Sequence, residues 1–456
     1  MRQNTISAIS TANGRGGVAI IRVSGPDSLS IAAQMFRPRG RTKVSDFEPY
    51  RMYPGEIQAE YFTDFGMCVF FKAPKSYTGE NMVEFHCHGG TEIAQGILKR
   101  TFALGAVPAE AGEFTKRAFL NGKMSLSAAE GVADMINANS ESMIHAGYSL
   151  LNNTLGKRIV ELQDRLKNLL ASIEVDIDYP EEELEHSVPD LQNIHSALSE
   201  ISETLEKMIA SYTTAGRTVA RGIAVAIVGR PNSGKSSLLN AILGRNKAIV
   251  SDIEGTTRDV VEGEINIKGI HFRLFDTAGI RESLDGIEKI GVRKAEEILD
   301  EADIVLHVID GSKALAKEDI ELSERVTKRK RLLRLTVLNK SDLPEKWQQP
   351  AKWEGELIAL SAKEGRNVEA LLERLYEAVG DKYTFDSNFV VEERHYNALC
   401  RAKEALRRAQ GGAGEVPLDM LTIDISECWQ TLGEITGETA NEEIIGEIFS
   451  KFCVGK

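Results

Sequence analysis

Gly229-Arg230-Pro231-Asn232-Ser233-Gly234-Lys235-Ser236 follows an apolar run, Ile223 to Val228, and precedes a helical pattern, Ser237-Leu238-Leu239-Asn240-Ala241-Ile242-Leu243. Strand, glycine loop and helix in that order give the GxxxxGK[ST] spacing its physical meaning. Glycine removes the Cβ that would keep backbone N–H groups from converging on phosphate oxygens. The helix N-terminus adds partial positive charge. Lys235 has the length to reach β- and γ-phosphates, and the Ser236 hydroxyl suits Mg²⁺.

Four further stretches follow in order. Gly255-Thr256-Thr257-Arg258-Asp259 lies where a switch loop belongs, between the phosphate-loop helix and the second strand. Asp276-Thr277-Ala278-Gly279 follows the third strand: its Asp can hold Mg²⁺ through water, and Gly279 can approach a γ-phosphate. Asn339-Lys340-Ser341-Asp342 follows the fifth strand. The Asp342 carboxylate can accept from N1–H and the 2-amino group of guanine together, which adenine cannot match. Ser361-Ala362-Lys363 follows the sixth and would back the base. Together these predict a GTPase. Ile280 stands where a Ras-type site has the Gln that orients water, so another group must do this. Residues 281–291 offer carboxylates, and Asn232 is placed to help ligate a monovalent cation beside the phosphates.

The chain has 456 residues, 42% hydrophobic and 27% charged, with a formal net charge of −13. That length predicts about three domains. The acidic balance argues against whole-surface nucleic-acid binding while leaving room for a local basic patch. No apolar run approaches the roughly 18 residues that span a bilayer, so no membrane partner is expected. Residues 1–17 lack the apolar core of a secretory signal. Five widely spaced cysteines suggest reduced thiols and a cytoplasmic location.

Residues 1–118 read as α+β, with strands at Val18–Val23, Met67–Phe71 and Met82–His88 and helices at Ser28–Phe36 and Thr91–Ala103. His86, Cys87 and His88 invite a metal reading, but Cys87 falls on the opposite strand face from the two histidines. Ordinary strand residues are the better reading. Residues 119–216 are helical: Leu162, Leu166, Leu169 and Ile173, then Leu191, Ile194, Leu198, Ile201, Leu205 and Met208, step by three and four. The acidic run Glu181–Glu185 reads as a solvated connection. Residues 217–380 alternate strand and helix as a mainly parallel sheet with one antiparallel strand, the second and third strands joined by Gly269-Ile270. Residues 381–456 are helical again, with Gln410–Gly414 as a loop. Helices on both sides of the nucleotide domain fit one bundle with an insertion, or two bundles.

The flanks carry a family resemblance over the whole chain. Asn13–Gly25, Tyr77-Thr78-Gly79-Glu80, His88-Gly89-Gly90, Gly112–Lys123 and Phe452-Cys453-Val454-Gly455-Lys456 resemble the MnmE (TrmE) family of tRNA-modification GTPases. The resemblance implies a multi-domain fold: an α+β N-terminal folate-binding and dimerising domain, an α-helical central domain, and an inserted Ras-like α/β P-loop GTPase domain. It implies a homodimer that works with the flavoprotein MnmG (GidA) as a heterotetramer on tRNA. The product is an aminomethyl or carboxymethylaminomethyl group on carbon 5 of the wobble uridine. The one-carbon donor is 5-formyltetrahydrofolate or 5,10-methylenetetrahydrofolate.

Matched by motif, the resemblance assigns GTP contacts to Asn232, Ser233, Gly234, Lys235, Ser236 and Ser237. It extends them to Ser251, Asp252, Ile253, Glu254, Gly255, Thr256 and Thr257, to Asp276, Thr277, Ala278 and Gly279, and to Asn339, Lys340, Asp342, Ser361, Ala362 and Lys363. Mg²⁺ falls to Ser236 and Thr257. K⁺ falls to Asn232, Ser251, Ile253 and Thr256, and the water-orienting acid to Glu288, with Lys235 and Asn232 also catalytic. Folate contacts match Arg22, Glu84, Lys123 and Lys456, and Cys453 matches the family's near-terminal Cys. The competing reading is a ribosome-assembly GTPase that binds rRNA. It requires an RNA-binding module after the nucleotide domain, but the helices there are acidic to neutral, and the one conspicuously basic run, Lys328-Arg329-Lys330-Arg331, reads as a solvated helix end rather than an RNA site. A folate-binding scaffold without catalysis fits poorly with an intact phosphate loop.

Overall fold

The computed structural model describes residues 4–12, 14–178, 191–245, 263–276, 296–300, 302–328, 333–350, 353, 356–380 and 392–456. Two compact units divide the chain: Met1–Ile136, Gly147–Glu203 and Ala398–Lys456 form one, and Asn137–Ala146 with Thr204–Asn397 form the other.

The first unit opens with a sheet of β1 (Ile6–Ile9), β2 (Val18–Ser24), β3 (Phe36–Pro38), β4 (Met52–Gln58), β5 (Thr63–Phe71), β6 (Met82–His88) and β7 (Val107–Pro108), in the order β3-β4-β5-β6-β2-β1-β7. Every described pairing is antiparallel except β1 with β7. Helices Ser28–Met35 and Thr91–Ala103 bury Ile31, Met35 and Ile97 in one core with Ile21, Val23, Ile57, Val83 and Phe85. Strand alternation therefore sends Arg22, between Ile21 and Val23, to the other face. Helix Ser28–Met35 stops one residue before the expected end, because Phe36 already pairs with Ile57. Strand β4 gives little sequence signal, since it carries Pro54 and Gly55. Gly55 is needed there: a Cβ would sit 2.3 Å from the Arg37 carbonyl oxygen.

The helical stripes are buried as their spacing requires. Leu162, Leu166, Leu169 and Ile173 lie inside helix Thr154–Asp178, and Ile194, Leu198, Ile201, Leu205 and Met208 inside Leu191–Ser211. Leu191, at the head of the second stripe, is instead 38% exposed. Helix Thr154–Asp178 packs on Leu418–Thr436, and Gln163 Nε2 donates to the Trp429 carbonyl at 3.4 Å and to Glu438 at 3.2 Å. Helices from both sides of the nucleotide domain thus share one bundle. Helix Glu393–Gly412 runs through most of the expected loop at Gln410–Gly414. Two glycines cost helix stability of about 1 kcal/mol each, but Ala405, Leu406, Ala409 and Ala413 are buried along that stretch and favour its continuing. The acidic run Glu181–Glu185 lies outside the described residues.

The end of the chain returns to the first sheet. Asn441 caps helix Glu442–Ser450 through its side chain to Ile444 N at 2.9 Å, and Phe449 and Phe452 pack with Leu126 and Ala129. Beyond it, Val454 bridges to Ala111, Phe114 N donates to the Lys456 carbonyl at 3.2 Å, and Ser10 Oγ donates to the Gly455 carbonyl at 3.0 Å. Gly455 is left-handed at φ +95°, and a Cβ on it would lie 2.1 Å from the Ile9 carbonyl oxygen.

The second unit holds β8 (Ile223–Val228), β9 (Gly263–Ile267), β10 (Ile270–Asp276), β11 (Ile304–Asp310), β12 (Leu333–Asn339) and β13 (Glu356–Ala359), ordered β13-β12-β11-β8-β10-β9. Only β9 runs antiparallel, against β10. All six residues of β8 are buried, as expected of a central parallel strand covered on both faces. The β9–β10 turn is Lys268-Gly269, with φ of 48° and 85°, not Gly269-Ile270. Two consecutive positive φ values define the tight turn that matches strand twist, and β-branched Ile270 belongs in the strand. Asn139 anchors this hairpin, with Nδ2 3.0 Å from His271 Nε2 and its carbonyl accepting from Asn266 Nδ2 at 3.2 Å.

Gly455→Ala is expected to detach the tail, since both the left-handed φ and the Ile9 contact oppose a Cβ. Carboxypeptidase should then trim the chain's end faster than in wild type, with the thermal midpoint lowered. An unchanged trimming rate would show that the tail tolerates the methyl group.

Candidate functional site

Strand β8 delivers the chain to Gly229, where a Cβ would sit 2.3 Å from the Val308 carbonyl oxygen on neighbouring β11. Asn232 and Gly234 take left-handed φ values of 65° and 96°. These bends curl the loop ahead of helix Lys235–Arg245. Lys235 is 6% exposed, and its Nζ donates to the Arg230 carbonyl at 3.0 Å, so the cation lies along its own loop. Ser237 follows, exposed, in the first helical turn. Ser236 Oγ donates to Asp276 Oδ2 at 2.7 Å. The parallel pairing of β8 with β10 makes this contact possible, bringing the phosphate loop to the carboxylate that ends β10. A hydroxyl and a carboxylate at that separation are the oxygen donors a hard divalent cation takes.

The other side of the site is built on Asn339, 2% exposed at the end of β12. Its Nδ2 donates to the Ser233 carbonyl at 3.0 Å; its Oδ1 accepts from Lys340 N at 2.8 Å and Ala362 N at 3.0 Å. Asn339 therefore ties three loops together rather than presenting its amide outward. Lys340, left-handed at φ 67°, donates from Nζ to the Asn232 carbonyl at 3.0 Å and to Asp310 Oδ2 at 2.6 Å. Asp342 Oδ1 accepts from Ser361 Oγ at 2.6 Å. That bond is the chief reason its carboxyl is held below the usual range, so at neutral pH it is ionised and purely an acceptor. Lys363 is exposed beside it.

Asp310 is a site residue the motifs did not single out. Burial pushes its carboxyl up, but hydrogen bonds from Lys340 and Ser312 outweigh burial and hold it below its ordinary value. Its position is set by register, since Asp310 lies opposite Asn339 in the β11–β12 pairing. The available signal was an apolar strand ending in an acid next to the strand that ends in Asn-Lys. Ser251, Asp252, Ile253, Glu254, Gly255, Thr256, Thr257, Thr277, Ala278, Gly279 and Glu288 lie outside the described residues.

A second constellation sits in the first unit. Arg22 Nε meets Glu84 Oε1 at 2.8 Å across the β2–β6 pair, and His86 Nε2 lies 3.5 Å from Glu84 Oε2. Burial raises the Glu84 carboxyl, while His86 and Arg22 lower it further, leaving it below its ordinary value. The Arg22 guanidinium lies 5.4 Å from the Tyr77 ring centroid and 5.5 Å from that of Phe114. Its NH1 donates to the Gly455 carbonyl at 3.4 Å, which brings the tail against Arg22. Lys123 Nζ donates to the Pro74 carbonyl at 3.1 Å, on the loop that carries Tyr77. Cys453 is exposed, and the Lys456 backbone is engaged by Phe114. The histidines and cysteine of β6 separate as strand alternation requires. Cys87 is buried in the core, with its thiol pushed up to about 11 by burial, while His88 Nδ1 pairs with Asp64 at 2.6 Å.

Two family models match the chain: the GTP-binding protein TrmE N-terminus over residues 5–123, and the MnmE helical domain over residues 126–453. A tRNA modification GTPase MnmE from Natranaerobius thermophilus is 41% identical, covering 100% of both chains. Those from Clostridioides difficile, 38% identical over 99% of both, and Lactiplantibacillus plantarum, 37% identical over 99% of this chain and 98% of that one, are also similar. With the phosphate loop, the guanine-type motif and the tail-to-sheet arrangement carried on a match of this length, the chain belongs to the MnmE family of tRNA-modification GTPases.

Proposed function

We propose that this GTPase acts as a homodimer with the flavoprotein MnmG in the cytoplasm. The pair places an aminomethyl or carboxymethylaminomethyl group on carbon 5 of a tRNA wobble uridine. A tetrahydrofolate, when bound, supplies the one-carbon unit. The observation that carries this reading is the Arg22–Glu84 pair, 2.8 Å apart and backed by two aromatic rings, in the same chain as a guanine-type nucleotide site. The donor set fits a pterin. A carboxylate held ionised accepts from a ring N–H and an exocyclic amine together, and a charge-assisted pair of this kind is among the stronger hydrogen bonds. Lys123 and Lys456 suit the carboxylates of the glutamyl tail.

In the nucleotide site, Lys235 and the loop N–H groups hold the β- and γ-phosphates, Ser236 and Asp276 offer oxygen to Mg²⁺, and Asp342 reads guanine. Asn232 sits on the outer bend of the loop, exposed. Asn232, Ser251, Ile253 and Thr256 would hold a potassium ion, which would supply positive charge beside the phosphates when bound. Glu288 orients the attacking water. Thr257 completes the Mg²⁺ set.

Asp342→Asn replaces an acceptor by a donor opposite the guanine 2-amino group. GTP affinity is expected to fall about 100-fold or more, with xanthosine triphosphate gaining; unchanged binding of fluorescent GTP would remove Asp342 from the base site. GTP turnover should be faster in potassium than in sodium chloride, and Asn232→Ala should abolish the difference. Equal rates in both salts for wild type would rule out the cation role. Glu84→Gln is expected to weaken 5-formyltetrahydrofolate binding by about tenfold or more, read by calorimetry with the thermal midpoint as a check on folding. Full affinity in this variant would place the folate elsewhere.

A further inference from the structure

Residues 37–43 read Arg-Pro-Arg-Gly-Arg-Thr-Lys, and four cations in seven residues stand out in a chain of net charge −13. Arg37 lies in edge strand β3, and Arg39 N continues the contact by donating to the Pro54 carbonyl at 2.8 Å. Arg37, Arg39, Arg41 and Lys43 are exposed, and none has a carboxylate within 4.0 Å among the described residues. Arg37 instead faces the Gln58 amide, whose oxygen, turned toward it, accepts from Nε at 2.8 Å. Arg51 differs, being paired with Glu48 at 3.1 Å.

Topology adds two more cations to the group. The antiparallel β3–β4 pairing runs the Arg39–Lys43 stretch toward the Met52 end of β4. Strand β5 finishes at that same end, at Phe71, and exposed Lys72 and Lys75 follow it. Tyr50, 52% exposed, holds the corner together, with its N donating to the Phe70 carbonyl at 2.8 Å and its hydroxyl to the Lys75 carbonyl. One or two outward charges suffice to keep an edge strand from pairing with another chain. Arg37 lies opposite Glu56 in the strand register, yet none of the six cations, from β3, the stretch after it and the loop after β5, has a carboxylate within 4.0 Å among the described residues. They repel one another, and their common complement is a polyanion.

We propose that this corner of the N-terminal sheet binds the phosphate backbone of tRNA, an inference that rests on the tRNA-directed function above. The loop that carries Lys72 and Lys75 runs on to Tyr77, whose ring lies 5.4 Å from the Arg22 guanidinium. That loop links the corner in sequence to the Arg22–Glu84 pair, three strands further across the sheet. Exposed Tyr50 offers an aromatic face to an unstacked base, as single-stranded RNA loops require.

The test measures binding of fluorescein-labelled tRNA to the full-length protein by anisotropy across a sodium chloride series. The variants are the quadruple Arg37→Gln, Arg39→Gln, Arg41→Gln, Lys43→Gln and a charge-matched control, Lys99→Gln, Lys157→Gln, Lys167→Gln, Lys207→Gln. The first should lose at least about tenfold in affinity, and its log–log salt slope should fall by about 3, at roughly 0.7–0.9 per phosphate contact. The control should stay within about twofold of wild type on the same argument. GTP turnover and thermal midpoint should be unchanged in both. Equal losses in both variants would reduce the effect to net charge and overturn the proposal. Wild-type affinity in the edge variant would overturn it alone, and a wild-type protein that binds no tRNA would overturn it together with the tRNA-directed reading. Binding to anionic phospholipid vesicles that depends on the same four residues, with tRNA binding indifferent to them, would overturn it in favour of a membrane surface.

Discussion

The nucleotide site depends on one buried amide. Asn339 has a donor and an acceptor to satisfy in a place water does not reach, and leaving either unmade costs about 1–3 kcal/mol. It satisfies both on backbone from three loops: the phosphate loop, its own, and the one that follows β13. None of those loops has regular structure to fix it, so their mutual placement follows from a single side chain. Lys340 extends the tie by spanning from Asn232 to Asp310. Asp342 is then positioned relative to the phosphate loop by a chain of hydrogen bonds, not by rigid helices. Preorganisation of this kind is what lets a site stabilise charge without reorganising during reaction.

The first unit solves a similar problem with distant parts of the sequence. Arg22 comes from β2, Glu84 from β6, Tyr77 from the loop after β5, Phe114 from helix Glu113–Leu120, and the Gly455 carbonyl from the far end of the chain. An arginine between a carboxylate, two rings and a carbonyl keeps little rotamer freedom, because its planar fork is already held. The same arrangement explains why the Gly112–Lys123 segment matters. Arg117, 7% exposed in its side chain, bridges Glu80 at 3.2 Å and Glu113 at 2.7 Å and so fixes the helix that carries Phe114 and the loop that carries Tyr77.

Much of this was legible from residue types. Phosphate chemistry dictates glycines, a lysine and a hydroxyl at fixed spacing, so Gly229 to Ser236 could be read directly, and apolar steps of three and four marked the long helices. Elements whose residues serve a neighbour instead of their own propensity were not legible. Strand β4 tolerates Pro54 and Gly55 because β3 and β5 pair with it. Asp310 has no motif of its own and gains its role from lying opposite Asn339. The Arg37–Lys43 charges alternate with neutral residues, which hides them among ordinary surface positions until the sheet gathers them with Lys72 and Lys75. The Gln410–Gly414 stretch failed for the opposite reason, since local glycine propensity yielded to burial of the alanines around it.

The tail's anchorage on β1 has a consequence for how the protein is made. A nascent chain leaves the ribosome from its N-terminus, and domains tend to fold as they emerge. The β-sheet of residues 6–108 is therefore out long before Gly455, and the nucleotide domain can be complete while Arg22 still lacks its last acceptor. Translation halted a few codons early would leave a soluble-looking chain that still binds nucleotide yet carries an open gap beside Ile9 and Ser10.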